Sequence, residues 1–130
     1  MANPFVHVEL STNDLSRAKE FYSKLFGWTL LEVPMPGAGL PGVEASGGAY
    51  TMIEVGSGTG GGMMTNPMPG APSHWLAYVG VDDINASTKK ARALGAKVVV
   101  DVMEVGAFGW MSVITDPTGA TLAMWQAKTH

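Results

Sequence analysis

The chain has no cysteine among its 130 residues. That absence excludes a disulfide scaffold, a thiolate nucleophile and any cysteine-ligated zinc. Charge is scarce as well: Asp, Glu, Lys and Arg make up only 15% of the chain, and the net charge is −3. A nucleic-acid surface needs a basic stripe, whereas Arg17, Lys19, Lys24, Lys89, Lys90 and Arg92, six of the eight basic residues, fall among polar positions of two helix-like segments. No DNA or RNA partner is expected. Three histidines and no recognisable nucleophile context give no case for a hydrolase triad. No apolar run approaches the length of a membrane span. The first residues, Met1 to His7, carry no basic segment ahead of an apolar core, so no signal peptide is expected and a cytoplasmic protein is.

What is present is a globular composition, 46% hydrophobic, at a length that fits a single domain over residues 1–130. The chain also repeats itself. Val8-Glu9-Leu10-Ser11-Thr12-Asn13-Asp14-Leu15, followed by a helical run to Leu25 and Gly27, returns as Ala77-Tyr78-Val79-Gly80-Val81-Asp82-Asp83-Ile84, Leu94 and Gly95. The offset is 69 residues, falling to 68 at the glycines. Gly48 to Glu54 reads as the closing phrase of the first copy and Gly119 to Trp125 as that of the second. Two equivalent modules imply a pseudo-symmetric fold with a cleft between its halves.

In module one, residues 1–55, Phe5 to Leu10 alternates as a strand with Phe5, His7 and Glu9 on one face. Ser11, Thr12 and Asn13 offer capping side chains, and Leu15, Ala18, Phe21, Tyr22 and Leu25 recur at helical spacing until Gly27. Trp28 to Val33 reads as a strand. Val43 to Ala45, a Gly47-Gly48 turn and Ala49 to Val55 read as a hairpin. Module two, residues 74–130, gives strands over His74–Val81, Lys97–Met103, Trp110–Thr115 and Ala120–Gln126 and a helix over Asp83–Leu94. Asp116-Pro117-Thr118-Gly119 suits a tight turn, and Ala107-Phe108-Gly109 a loop over the cleft. Residues 56–73, rich in glycine and proline, read as a linker, with a loop over a site as the alternative. Within them Gly56-Ser57-Gly58-Thr59-Gly60-Gly61 matches the dinucleotide-binding string, but Pro67, Pro69 and Pro72 forbid the helix whose N-terminus must meet the pyrophosphate.

The doubled β-α-β-β-β order, the phrase Asp14-Leu15-Ser16-Arg17-Ala18-Lys19-Glu20-Phe21-Tyr22 leading to Leu25-Phe26-Gly27-Trp28, and the closing Asp116-Pro117-Thr118-Gly119 resemble the vicinal-oxygen-chelate superfamily of glyoxalase I, bleomycin-resistance proteins and extradiol dioxygenases. The resemblance covers essentially the whole chain. Tyr50 to Gly56, His74-Trp75 and Val81-Asp82-Asp83 look like its glyoxalase-related subgroup. It implies an α+β fold of two pseudo-symmetric β-α-β-β-β modules forming an incomplete barrel around a cleft. In metal-dependent members a divalent ion (Fe, Mn, Ni or Zn) sits there, on one ligand from the first and one from the last strand of each module.

Carried over position by position, the resemblance gives a metal set of His7, Glu54 and His74. His7 keeps the family spacing to Asp14. The ligand near the end of module one falls on Glu54 or, in the other register, on Met52. In module two the expected positions fall on Leu76 and Ala123, which cannot bind a metal, and His74 lies two residues before Leu76 on the same face. Both a bound metal and none are left open. Authentic glyoxalase I activity is not expected, and no catalytic residue is assigned. For the cleft, Tyr50, Met52, Trp75, Tyr78, Trp110 and Trp125 are the ligand-binding candidates, with ordinary core packing as the alternative for each. The resulting expectation is a glyoxalase-related enzyme acting on a small oxygenated metabolite through a degenerate metal site. The alternative is a metal-free small-molecule or antibiotic-binding protein, and in either case a homodimer is expected.

Overall fold

The computed structural model describes residues 2–34, 49–67 and 70–128. Its elements run β1 (Phe5–Thr12), α1 (Leu15–Phe26), β2 (Thr29–Pro34), β3 (Ala49–Glu54), β4 (Gly61–Thr65), β5 (His74–Gly80), α2 (Ile84–Ala93), β6 (Lys97–Val105), β7 (Gly109–Thr115) and β8 (Thr121–Ala127). The β-α-β-β-β order therefore occurs twice, in an α+β chain. Two compact units result: His7–Trp75, and Leu76 onward together with the residues up to Val6. The expected strand over Val43–Ala45 and its Gly47-Gly48 turn lie outside the described residues. No helix among the described residues is long and apolar enough to cross a membrane.

Within the unit His7–Trp75 the strand order is β2-β3-β4-β1. The first two pairings are antiparallel, and β4 runs parallel to β1, with Glu9 opposite Gly62 and Leu10 opposite Met63. The other unit repeats this plan as β6-β7-β8-β5, with β8 parallel to β5 and Tyr78 opposite Ala123. The matching pairs of strands show that β4, not β3, is the counterpart of β8. Residues 56–73 are thus not a linker, because a strand of module one occupies Gly61–Thr65. Its Gly-Gly-Met-Met-Thr sequence has little intrinsic preference for a strand, and tertiary packing decides it.

Close approach explains the two glycines. A Cβ on Gly61 would overlap the backbone carbonyl of Val8 on β1, and one on Gly62 would overlap the phenol of Tyr50. Side-chain alternation then sorts the sheet into two faces. Leu10, Ile53 and Met63 form a buried cluster under α1, against Leu15, Ala18 and Tyr22. His7, Glu9, Ser11, Tyr50, Met52 and Gly62 point to the opposite face.

The helices start where their caps are. The cap of α1 is Asp14 itself rather than Ser11, Thr12 or Asn13: its Oδ1 accepts from the Arg17 amide at 3.1 Å. Thr12 instead holds the amide of Asp14 through its hydroxyl, at 3.1 Å. Gly27 ends the helix at φ 70°, a left-handed conformation natural to glycine. In the other unit Asp83 Oδ1 accepts from the Ala86 amide at 3.1 Å. Ile84 of α2 packs with Ile114 and Met124, while Thr88 meets Ser112 in a buried hydroxyl pair at 2.9 Å. The turn expected at Asp116 forms as read. The Thr118 hydroxyl, helped by the Ala120 and Thr118 amides, holds the exposed Asp116 carboxyl below its ordinary range.

Candidate functional site

On the sheet face away from α1, three side chains of the unit His7–Trp75 form one hydrogen-bonded chain. The Tyr50 hydroxyl donates to Glu9 Oε2 at 2.7 Å, and His7 Nε2 lies 2.8 Å from the same hydroxyl oxygen. A phenol has a single proton, and here it is committed to Glu9, so His7 Nε2–H must donate to Tyr50. The order is imidazole to phenol to carboxylate. Glu9 and Tyr50 are each only 8% exposed, which places a carboxylate where desolvation is costly and a hydrogen bond is needed. Burial also pushes the His7 pKa below its ordinary 6.5, favouring the neutral ring that this tautomer requires.

Strand β4 lies between the strands that carry these groups. Tyr50 stands on β3 and reaches over β4 to β1, and it can do so because residue 62 has no side chain. The crossing ring lies 6.1 Å from the His7 ring, centroid to centroid, at 27°. Glu9 was not singled out by sequence reasoning. The available signal was its place two residues after His7 on the same strand face, a buried acid between Val8 and Leu10.

The remaining candidates separate. Glu54 is exposed at the end of β3. His74 is exposed at the start of β5, with its Nδ1 2.9 Å from the Pro72 carbonyl oxygen. Among the described residues no group of three His, Cys, Asp or Glu side chains could hold a metal ion, so His7, Glu54 and His74 do not assemble into one. The strand register gives the reason. Glu9 pairs with Gly62 as Tyr78 pairs with Ala123, and Glu9 and Tyr78 are separated by the 69-residue offset of the repeat. Gly62 is therefore the counterpart of Ala123 on the closing strand of module one, a place that the sequence reading had assigned to β3 and Glu54. Of the four positions His7, Gly62, Leu76 and Ala123, only His7 bears a donor atom. These residues do not fit a bound divalent ion.

Met52 shares the face of Tyr50, opposite Gly62. Trp75 does not. Its ring meets Tyr22 and Trp28 edge-on at 5.4 and 6.4 Å, in an aromatic group on α1 and the strands beside it. In the other unit Trp110 packs on the α2 side with the Ile84, Ile114 and Met124 cluster, under the Lys128 ammonium at 5.1 Å. Alternation places Tyr78 and Trp125 on the face away from α2, Tyr78 buried and Trp125 half-buried against the backbone of Gly109. Two of the five expected aromatics, Trp75 and Trp110, thus lie on the helix sides of their sheets. The rest, with Met52, occupy the opposite faces.

The family model of the Glyoxalase/Bleomycin resistance protein/Dioxygenase superfamily matches residues 5–124. The protein named "Putative glyoxylase CFP32" of Mycobacterium tuberculosis is 39% identical over 127 residues, covering 95% of this chain and 45% of its own length. The anthracycline biosynthesis protein DnrV of Streptomyces peucetius is 33% identical over 128 residues, covering 91% and 45%. The chain spans about half the length of these curated relatives. Among solved structures, methylmalonyl-CoA epimerase from Mycobacterium tuberculosis superimposes with a TM-score of 0.68 at 18% identity, over 96% of this chain and 88% of that one. The Streptomyces coelicolor epimerase in complex with 2-nitronate-propionyl-CoA gives 0.68 at 14% identity, over 99% and 100%. These likenesses concern the fold. From the matched residues 5–124 and the curated relatives, the chain belongs to the glyoxalase/bleomycin resistance protein/dioxygenase superfamily.

Proposed function

We propose that this chain binds a small oxygenated molecule on the His7, Glu9 and Tyr50 face and moves a proton there without a resident metal. The observation that carries the reading is the buried hydrogen-bonded chain from His7 through Tyr50 to Glu9. The Glu9 carboxylate can take a proton from a carbon and return it to the same intermediate, while the Tyr50 phenol and the neutral His7 ring hold that carboxylate in place through the hydrogen-bonded chain. The reaction class that uses such a base is proton removal and return at a carbon next to a carbonyl. The glyoxylase name of the mycobacterial relative supports that class. The substrate stays at the level of a small oxygenated metabolite.

Solvent-exchange NMR tests this directly. Deuterium incorporation from heavy water into a panel of α-hydroxycarbonyl compounds and α-keto acids is expected to exceed the buffer rate with at least one of them. It should survive exhaustive chelation and fall by about 100-fold or more in Glu9→Gln, the usual range for losing a general base. Stoichiometric metal in protein purified without a metal-binding tag, with exchange abolished by chelation, would overturn the reading. A second reading, capture of a planar molecule without turnover, is favoured by Met52 beside Tyr50 on this face. Saturable quenching of tryptophan fluorescence by aromatic ligands with no exchange in any compound would decide for it.

A further inference from the structure

Strand register in the unit His7–Trp75 sets four positions of the candidate face in one line. Leu31 on β2 stands opposite Met52 on β3, Met52 opposite Gly62 on β4, and Gly62 opposite Glu9 on β1. Directly opposed residues share a face. Leu30 packs under α1, so alternation independently points Leu31 away from the helix with the other three. Val33 stands opposite Tyr50 and therefore on this face as well. From Glu9 the line runs past the phenol lodged over Gly62 to a thioether and then an isobutyl group at β2, the outer strand of the unit. Beyond Tyr50 its side chains are apolar.

Leu31 is 53% exposed, so core packing does not account for it. A single exposed leucine is ordinary, but this one continues a surface with half-buried Met52 and Val33 that leads to the buried Tyr50 and Glu9. The sign of charge on the face is the second observation. Glu9 stands on it, and so, by the same alternation along β3, does Glu54. The three basic residues of the unit, Arg17, Lys19 and Lys24, are all on α1, across the sheet. There Lys19 pairs with Glu32 and Lys24 with Glu20. Burial favours the neutral ring of His7, which adds no cation. An acidic ligand would meet like charge here, with no counter-ion from this unit. A carbon chain has Met52, Val33 and Leu31 to lie on.

We infer that the substrate of this face is a carbonyl compound without an acidic group that carries an extended apolar chain, its carbonyl end at Glu9 and Tyr50 and its chain laid over Met52 toward Leu31. Neighbouring strands are about 4.8 Å apart, so Gly62 and Leu31 are separated by about 10 Å across the sheet, the reach of an extended hexyl group. Met52 suits that path because an unbranched thioether adapts to the shape laid against it. This substrate class rests on the reading of the face as a proton-moving site.

Three compounds test the assignment on the isotope-labelled full chain: 1-hydroxy-2-octanone, hydroxyacetone as its short counterpart and 2-oxooctanoate as its acidic one. Methyl NMR titration reads binding at Leu31, Val33 and Met52 and needs no turnover. The long ketone is expected to saturate with shifts at these methyls, hydroxyacetone to bind about 20-fold or more weaker, and the acid about tenfold or more weaker. Leu31→Ser, at an exposed position that preserves the fold, should cut the ratio between long and short ketone about threefold or more. Failure of the long ketone to saturate at millimolar concentration, long and short ketones binding alike, the acid binding as tightly as the long ketone, shifts centred away from these methyls, or an unchanged ratio in Leu31→Ser would each overturn the assignment. Deuterium exchange on the same samples separates the two proposals. Chain-selective binding without exchange would sink the proton-moving reading alone, and exchange without selectivity would sink the substrate class alone.

Discussion

At the scale of single residues, position 62 controls the candidate site. Its missing side chain is the space through which Tyr50 passes. Gly62→Ala should cost about 1–3 kcal/mol, as overpacking does, and denaturant titration should find much of that cost relieved in a Tyr50→Ala background. His7 gives a pH signature. Its folded pKa lies below the ordinary 6.5, so as pH falls through that value the unfolded chain takes up a proton that the folded chain still refuses. Stability is then whole above about pH 6.5 and declines below it; His7→Gln, which keeps a donor for Tyr50 but does not titrate, should flatten that slope in denaturant titrations across about pH 5–7. Thr51 offers the opposite sign of change. Its hydroxyl is buried with no hydrogen-bond partner among the described residues, so Thr51→Val should raise stability by about 1 kcal/mol, seen as a higher unfolding midpoint.

At the scale of elements, local chemistry made most of the structure readable. Alternation marked β1, helical spacing marked α1, the repeat carried that reading to α2, and the Asp-Pro-Thr-Gly turn marked the β7–β8 connection. The caps are as local as the elements: Asp14→Ala and Asp83→Ala should each cost about 1 kcal/mol in thermal or denaturant unfolding, because each strips a first-turn amide of its acceptor. Strand β4 was hidden because its determinants are distant. Gly61 is set by the carbonyl of Val8 and Gly62 by the phenol of Tyr50, partners that no window of neighbouring residues contains. Composition read glycine as slack where the fold uses it for close contact. That one missed strand also displaced the closing-strand position from Gly62 to Glu54. Sequence reasoning had named His7 for a metal and Tyr50 for ligand contact and had passed over Glu9, whose hydrogen bond to Tyr50 appears only once that ring is seen to cross β4.

At the scale of the molecule, the repeat was the most legible feature, since it was written in full twice. Each unit has its own apolar centre, Leu10, Ile53 and Met63 in one and Ile84, Ile114 and Met124 in the other. Met63 is fully enclosed, and Met63→Ala should cost about 2–5 kcal/mol, with hydrogen exchange rising first in the unit His7–Trp75. The duplication did not preserve chemistry equally: the pair Glu9 and Gly62 in one copy is Tyr78 and Ala123 in the other. The phenol that threads across the middle strand also bears on heredity. Planting a carboxylate at position 62 would drive it into the ring already lodged there, so an ion-coordinating descendant could not arise by that change alone. It would have to surrender Tyr50 first, and with it the link between His7 and Glu9, making the two chemistries mutually exclusive occupants of one spot.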